Sequence, residues 1–193
     1  RDAAAWRVPV GLHAYTLQPQ LLTMPVGTAA LIVGEARTGK SHVLETIARG
    51  MLAVAGSVPV VAIASVRTAL LGLSGLAGSA TVAELGRLVD QVLAQPAREQ
   101  VVLVDDTDLP DDPALHRLAA ATGGNITLVV AGRARDLDDS AHWTAPLRRF
   151  RTGALIRPLA GDGAVFGLQI STSSAQVRSE RALLVQDGVL TPV

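Results

Sequence analysis

Residues Gly34 to Ser41 read GEARTGKS, which satisfies the phosphate-loop pattern G-x-x-x-x-G-K-[ST]. The flanks constrain the fold as much as the motif does. An apolar run, Ala29 to Val33, leads directly into the loop, and a run with helical character, Ser41 to Met51, follows it. Strand, glycine loop and helix in that order is the context the motif requires. Gly34 and Gly39 permit backbone shapes that a Cβ would block. The N–H groups of Gly34, Glu35, Ala36, Arg37, Thr38 and Gly39, continued by Lys40, Ser41 and His42, can then turn inward toward phosphate oxygens. They would do so at the positive end of the following helix. In this arrangement Lys40 reaches the β- and γ-phosphates, and the Ser41 hydroxyl sits on Mg²⁺. ATP and Mg²⁺ are therefore the expected cofactors. The competing reading is a glycine turn before an ordinary helix with a surface lysine.

The chain of 193 residues is long enough for one α/β domain with its own core, and 49% hydrophobic against 18% charged residues predicts a folded domain. Aromatic residues are only 3%, so the core must be built mainly from Ala, Val, Leu and Ile. A formal net charge of +0 argues against a protein whose whole surface grips nucleic acid, although it permits a local basic patch. The absence of cysteine excludes disulfides and thiolate metal sites. The uncharged stretches Met51 to Val66 and Thr68 to Ala83 are interrupted by glycine, and neither reaches the length of a membrane span. The opening Arg1, with no start methionine and no signal-peptide pattern after it, reads as a piece cut from a longer protein.

Along the chain, Val8 to Gly11 and Gln20 to Met24 read as two short strands ahead of a core strand at Thr28 to Val33. Val58 to Ser65 is a second buried strand, while Thr68 to Ser79 has no clear pattern. Thr81 and Glu84 form a capping box before a helical apolar stripe from Val82 to Leu93. Val101 to Val104 is a third strand, Pro113 to Ala121 a helix, and Ile126 to Ala131 a fourth strand. Ser140 is placed to cap a helix toward Phe150, which Pro146 would interrupt. Gly153 to Ile156 is a further strand, and Ala182 to Gln186 with Val189 to Pro192 closes a hairpin through Asp187-Gly188. Alternating strands and helices predict a mostly parallel sheet with helices on both faces and a ligand at the carboxyl ends of its strands. Gly34, Asp105 and Arg133 all fall at such ends.

Four apolar residues followed by Asp105 and Asp106 have the Walker B shape. Asp105 either orients the Mg²⁺ held by Ser41, through water, or caps the next turn. Asp106 stands where many such ATPases carry a glutamate that positions water. Aspartate is one methylene shorter, and misplacing a catalytic group by ~1 Å costs ~100-fold, so Asp106 is a weak base or none. Asp108, Asp111 and Asp112 read as a solvated turn that caps the next helix. Arg67, Arg133, Arg135, Arg148, Arg149 and Arg151 are surface or ion-pair arginines, or else one of them completes a neighbouring subunit's site. His13, His42, His116 and His142 show no metal-ligand spacing.

With the segments WRVPVGL (Trp6 to Leu12), LIVGEARTGKS, VVLVDDTD and the closing RPLAGDGAVFGLQI…ERALLVQDGVLTPV, the chain resembles the FtsK/SpoIIIE-type P-loop ATPases. The particular likeness is to the ATPase modules of type VII secretion motors, called EccC or EssC. The resemblance spans nearly the whole chain. It implies a RecA-like core over residues 1 to 193 as a single module of a longer chain, with nucleotide between modules. It also implies hexameric assembly and a cytoplasmic position on a membrane-anchored parent, the membrane being met only by other parts of that parent. In such motors later modules often lose hydrolytic residues, and one docks the C-terminal signal of a secreted substrate. AGRARD, from Ala131 to Asp136, replaces the glutamine-arginine-proline segment common in DNA-pumping relatives. Three functions remain open: an ATPase module of a protein-secretion motor, a DNA translocase module, and a catalytically degenerate docking module.

Overall fold

The computed structural model describes residues 5–54, 56, 58–66, 68–105, 109–170 and 182–193. Its centre is an eight-stranded sheet in the order β10-β9-β8-β3-β7-β6-β4-β5. In chain order the strands are β1 (Ala5–Leu12), β2 (Pro19–Pro25), β3 (Ala29–Val33), β4 (Val60–Ala64), β5 (Gly78–Ala80), β6 (Gln100–Asp105), β7 (Ile126–Gly132), β8 (Gly153–Ile156), β9 (Ala182–Gln186) and β10 (Val189–Pro192). The helices are α1 (Lys40–Val54), α2 (Leu85–Leu93), α3 (Pro113–Ala121) and a single turn, α4 (Ala134–Leu137). From β8 to β5 the sheet is parallel; β9 and β10 continue it antiparallel. β1 and β2 form a separate antiparallel hairpin.

Period-two alternation divides the core between the two faces of the sheet. Ala30 and Ile32 of β3 face one side, together with Leu103 of β6 and Val129 of β7, and pack on Leu44, Ile47 and Met51 of α1 and on Trp6 and Met24 of the hairpin. Leu31, Val33, Val104 and Val130 face the other side and pack on α2, α3, Trp143 and Phe166. The few aromatics are thus spent as anchors: Trp6 and Trp143 are fully buried, one on each face, amid an otherwise aliphatic core. Gly50, inside α1, admits β1 closely, because a Cβ there would lie 2.8 Å from Val8 Cγ1.

The Asp187-Gly188 turn has φ of 50° and 76°, the positive pair that a mirror-image hairpin turn needs. The capping box is present, with the Glu84 carboxylate accepting the Thr81 N–H at 3.4 Å ahead of α2. Thr68 to Ser79, without a pattern in sequence, contains a 3₁₀ turn at Leu70–Gly72 and the start of the three-residue edge strand β5. The expected helix after Ser140 does not form. Asp139 Oδ1 captures the Ala141 N–H at 2.9 Å, a local bond that competes with helix. A 3₁₀ turn at Ala145–Phe150 starts around Pro146, which has no N–H to give. Among the described residues no helix is long and apolar enough to cross a membrane.

β8 lies against β3 through Gly153, opposite Leu31, with φ +153°. A Cβ at this position would overlap the Leu31 carbonyl. Gly153→Ala is expected to destabilise the fold by about 3 kcal/mol, read as a lower midpoint in chemical denaturation.

Candidate functional site

The sheet order determines what meets at its carboxyl edge. Val33, the last residue of β3, is in register with Gly132 on β7 and with Leu155 on β8; Asp105, the last of β6, is in register with Ala131. The chain therefore leaves four adjacent strands, at Gly34, Arg133, Asp105 and Arg157, along one edge. β7 follows β6 in sequence but inserts between it and β3, so the acid of β6 sits one strand away from the glycine loop.

Three features of that loop depend on close backbone contact. The Gly34 N–H donates to the Gly132 carbonyl at 3.3 Å, and a Cβ on Gly34 would stand 2.6 Å from the Ile156 carbonyl oxygen and 2.8 Å from Thr38 Oγ1. Gly39 has φ +103°, and Arg37 adopts φ +62° although it is not glycine, a conformation costing about 1–2 kcal/mol. The Glu35 carbonyl gathers the loop together: it accepts Lys40 Nζ at 2.6 Å, Thr38 Oγ1 at 2.9 Å and the Thr38 N–H at 3.4 Å. Lys40 is only 4% exposed, so its ammonium is held inside the loop at the first residue of α1. Val43 donates to the Gly39 carbonyl at 3.0 Å, closing the first helical turn. The N–H groups ahead of it start a helix and have no intrahelical carbonyl to reach. Ala36, Arg37, Ser41 and His42 are exposed, and Glu35 is half-buried.

Asp105 is 4% exposed, and its Oδ1 is buried with no hydrogen-bond partner. A buried carboxylate oxygen without a donor is costly. A cation or its water beside this oxygen would remove that cost. Together with the glycine loop at the N-terminus of α1, this oxygen fits a phosphate chain with its Mg²⁺. Asp106 and Asp108 lie outside the described residues, as does Arg67. Asp112 caps α3, accepting the Ala114 N–H at 2.7 Å, and Asp111 pairs with His116 at 2.8 Å.

The arginines divide clearly. Arg148 binds Asp138 Oδ1 at 2.9 Å, Arg149 donates to the Thr122 carbonyl at 2.9 Å and lies over the Phe150 ring, and Arg151 donates to the Phe166 carbonyl at 3.0 Å. Arg135 pairs with Asp136 at 3.4 Å. Arg133 instead lines a cleft of about 270 Å³ beyond β7, with Asp111, Asp136 and His142. Burial pushes the His142 imidazole below its ordinary range, against the pull of the nearby aspartates. Among the described residues no group of three or more His, Asp or Glu is placed to hold a metal ion by itself.

No family model matches the sequence, and no curated protein matches it. Solved structures do match. The cytoplasmic domain of EssC superposes with a TM-score of 0.75 at 20% identity, over 100% of this chain and 44% of that one. Thermomonospora curvata EccC (ATPases 2 and 3), in complex with a signal sequence peptide, gives 0.72 at 16% identity, over 98% of this chain and 40% of that one. The pCW3 conjugation coupling protein TcpA, with ATPγS, gives 0.65 at 12% identity, over 100% and 65%. The chain has the RecA-like fold of these P-loop ATPase modules. It spans less than half the length of the EssC and EccC chains.

Asp105→Asn removes a buried charge that the protein alone does not pair. The variant is expected to raise the stability of the ligand-free protein by about 1 kcal/mol. The same change is expected to abolish the gain in ATP affinity that Mg²⁺ brings. Thermal denaturation and titrations with and without Mg²⁺ measure both effects.

Proposed function

We propose that the chain is a Mg-ATP-binding, weakly hydrolysing module of a type VII protein-secretion motor. The observation that carries the reading is the pairing of the enclosed Lys40 loop with the buried, unpartnered Asp105 oxygen across β7, in a fold shared with EssC and EccC. In this reading residues 1–193 are one module of a longer chain.

Each residue has a physical task. Of the N–H groups from Gly34 to His42, that of Gly34 is given to the Gly132 carbonyl and that of Thr38 to the Glu35 carbonyl, and the others bind phosphate oxygens at the start of α1, where the helix dipole favours negative charge. Lys40, released from the Glu35 carbonyl, transfers its donors to the outer phosphates. Ser41 and Asp105 would hold the cation. When bound, Mg-ATP supplies a phosphoryl group whose charge the cation partly neutralises. Asp106 orients water with a carboxylate one methylene shorter than glutamate, which accords with slow turnover.

The remaining parts of the proposal concern partners. Neighbouring modules and copies of the parent, in a hexamer, complete the site with an arginine in trans. A secreted protein's C-terminal signal docks on the assembly, as a signal sequence peptide does on T. curvata EccC. The module works on the cytoplasmic side of a membrane-anchored parent. The formal net charge of +0 accords with a protein partner better than with duplex DNA.

Calorimetric titration tests the core of this reading. Mg-ATP is expected to bind, and Lys40→Ala to weaken it by about tenfold or more. A folded wild-type protein that binds no Mg-ATP would overturn the proposal. Binding of a 30-base-pair duplex that weakens steeply with salt, with none of a secreted substrate's C-terminal peptide, would replace it with a DNA motor.

A further inference from the structure

The sheet gives the nucleotide site a direction. Asp105 stands on the β6 side of the glycine loop, across β7, while β8 lies on the opposite side of β3. Phosphates whose outer end meets the cation at Asp105 extend back across the loop, and the sugar and base leave on the β8 side. What stands there is the turn after β8, Arg157 to Asp162. The end of β8 that leads into it touches the loop directly, since the Ile156 carbonyl fills the space that a Cβ on Gly34 would need.

This turn is built to hold its shape. Arg157 takes a left-handed φ of +49° and Gly161 one of +96°. Asp162, 6% exposed, closes it from both sides: Oδ2 accepts the Leu159 N–H at 2.7 Å, and its own N–H donates to the Leu159 carbonyl at 3.2 Å. Burial raises the Asp162 carboxyl above the ordinary aspartate range, the Leu159 N–H opposes the rise, and the Glu35 charge reinforces it. At the apex, Leu159 is 55% exposed, while its neighbour Pro158 is buried. Leu159 is thus an apolar side chain held outward on a turn that follows the strand end in contact with the phosphate loop.

We propose that the Arg157–Asp162 turn is the base-binding wall of the nucleotide site, with Leu159 as its apolar contact for the purine ring and Asp162 as the residue that positions it. The proposal rests on reading Gly34–Ser41 as a phosphate site, and the test separates the two. Binding of Mg-ATP and of Mg-tripolyphosphate, which lacks sugar and base, is measured for wild type, Leu159→Ser, Leu159→Met and Lys40→Ala. Wild type is expected to bind ATP more tightly than tripolyphosphate. Leu159→Ser is expected to lose about five- to tenfold in ATP affinity and nothing in tripolyphosphate affinity. Leu159→Met restores the ATP affinity, and Lys40→Ala weakens both ligands. An unchanged ratio of the two affinities in Leu159→Ser would overturn the base wall and leave the phosphate site standing. Failure of wild type to bind either ligand would overturn both.

Discussion

Parallel pairing of β8, β3, β7 and β6 is the constraint from which the site follows. Each parallel strand begins at the same edge and ends at the opposite one, so four chain exits arrive side by side. Gly34, Arg133, Asp105 and Arg157 are far apart in sequence and become neighbours only through this register. Two glycines make the approach tight enough to matter. Gly153 lets β8 close on β3 in the sheet, and Gly34 lets the loop close on the Ile156 carbonyl above it.

Amid the aliphatic packing, the loop and its neighbours carry several unfavourable local terms. Arg37 is left-handed without being glycine, Lys40 is an enclosed ammonium, and Asp105 holds a buried oxygen with no donor. Lys40 stands at the first residue of α1 and donates to the neutral Glu35 carbonyl, while Asp105 ends β6. A polyanion with a cation would offer oxygens to Lys40 and positive charge to Asp105. A left-handed residue and a buried oxygen without a donor at the carboxyl edge of the sheet are features that binding sites share.

Much of this was legible in the sequence, for local reasons. The apolar run, glycine loop and helical run announce themselves within a few residues, and Asp187-Gly188 dictates its own turn. Pro113 to Ala121 and the β9–β10 hairpin run as their patterns predict. What was not legible is tertiary. β6 and β7 are both uniform aliphatic runs, so nothing in them says that β7 pairs between β3 and β6. A three-residue edge strand such as β5 is too short for a periodic signal. Ser140 carries the signature of a helix cap, but the neighbouring Asp139 carboxylate captures the Ala141 N–H first. Arg37 and Arg157 give no warning of left-handed backbone, since only glycine does so by its identity. The end of β8 meets the loop through the Ile156 carbonyl, more than a hundred residues away in sequence. Asp106 lies outside the described residues.

The central claim is that the Lys40 loop and Asp105 form one prefolded cradle for Mg-ATP. Backbone amide shifts, followed by NMR as Mg-ATP is added to the isotope-labelled protein, test it most directly. The account predicts that the amides of Glu35 to Val43 shift first, and that those at the ends of β6 and β7 move with them only when Mg²⁺ is present. The β1–β2 hairpin should stay unchanged. Saturable shifts confined to another face, with the loop amides silent, would contradict it.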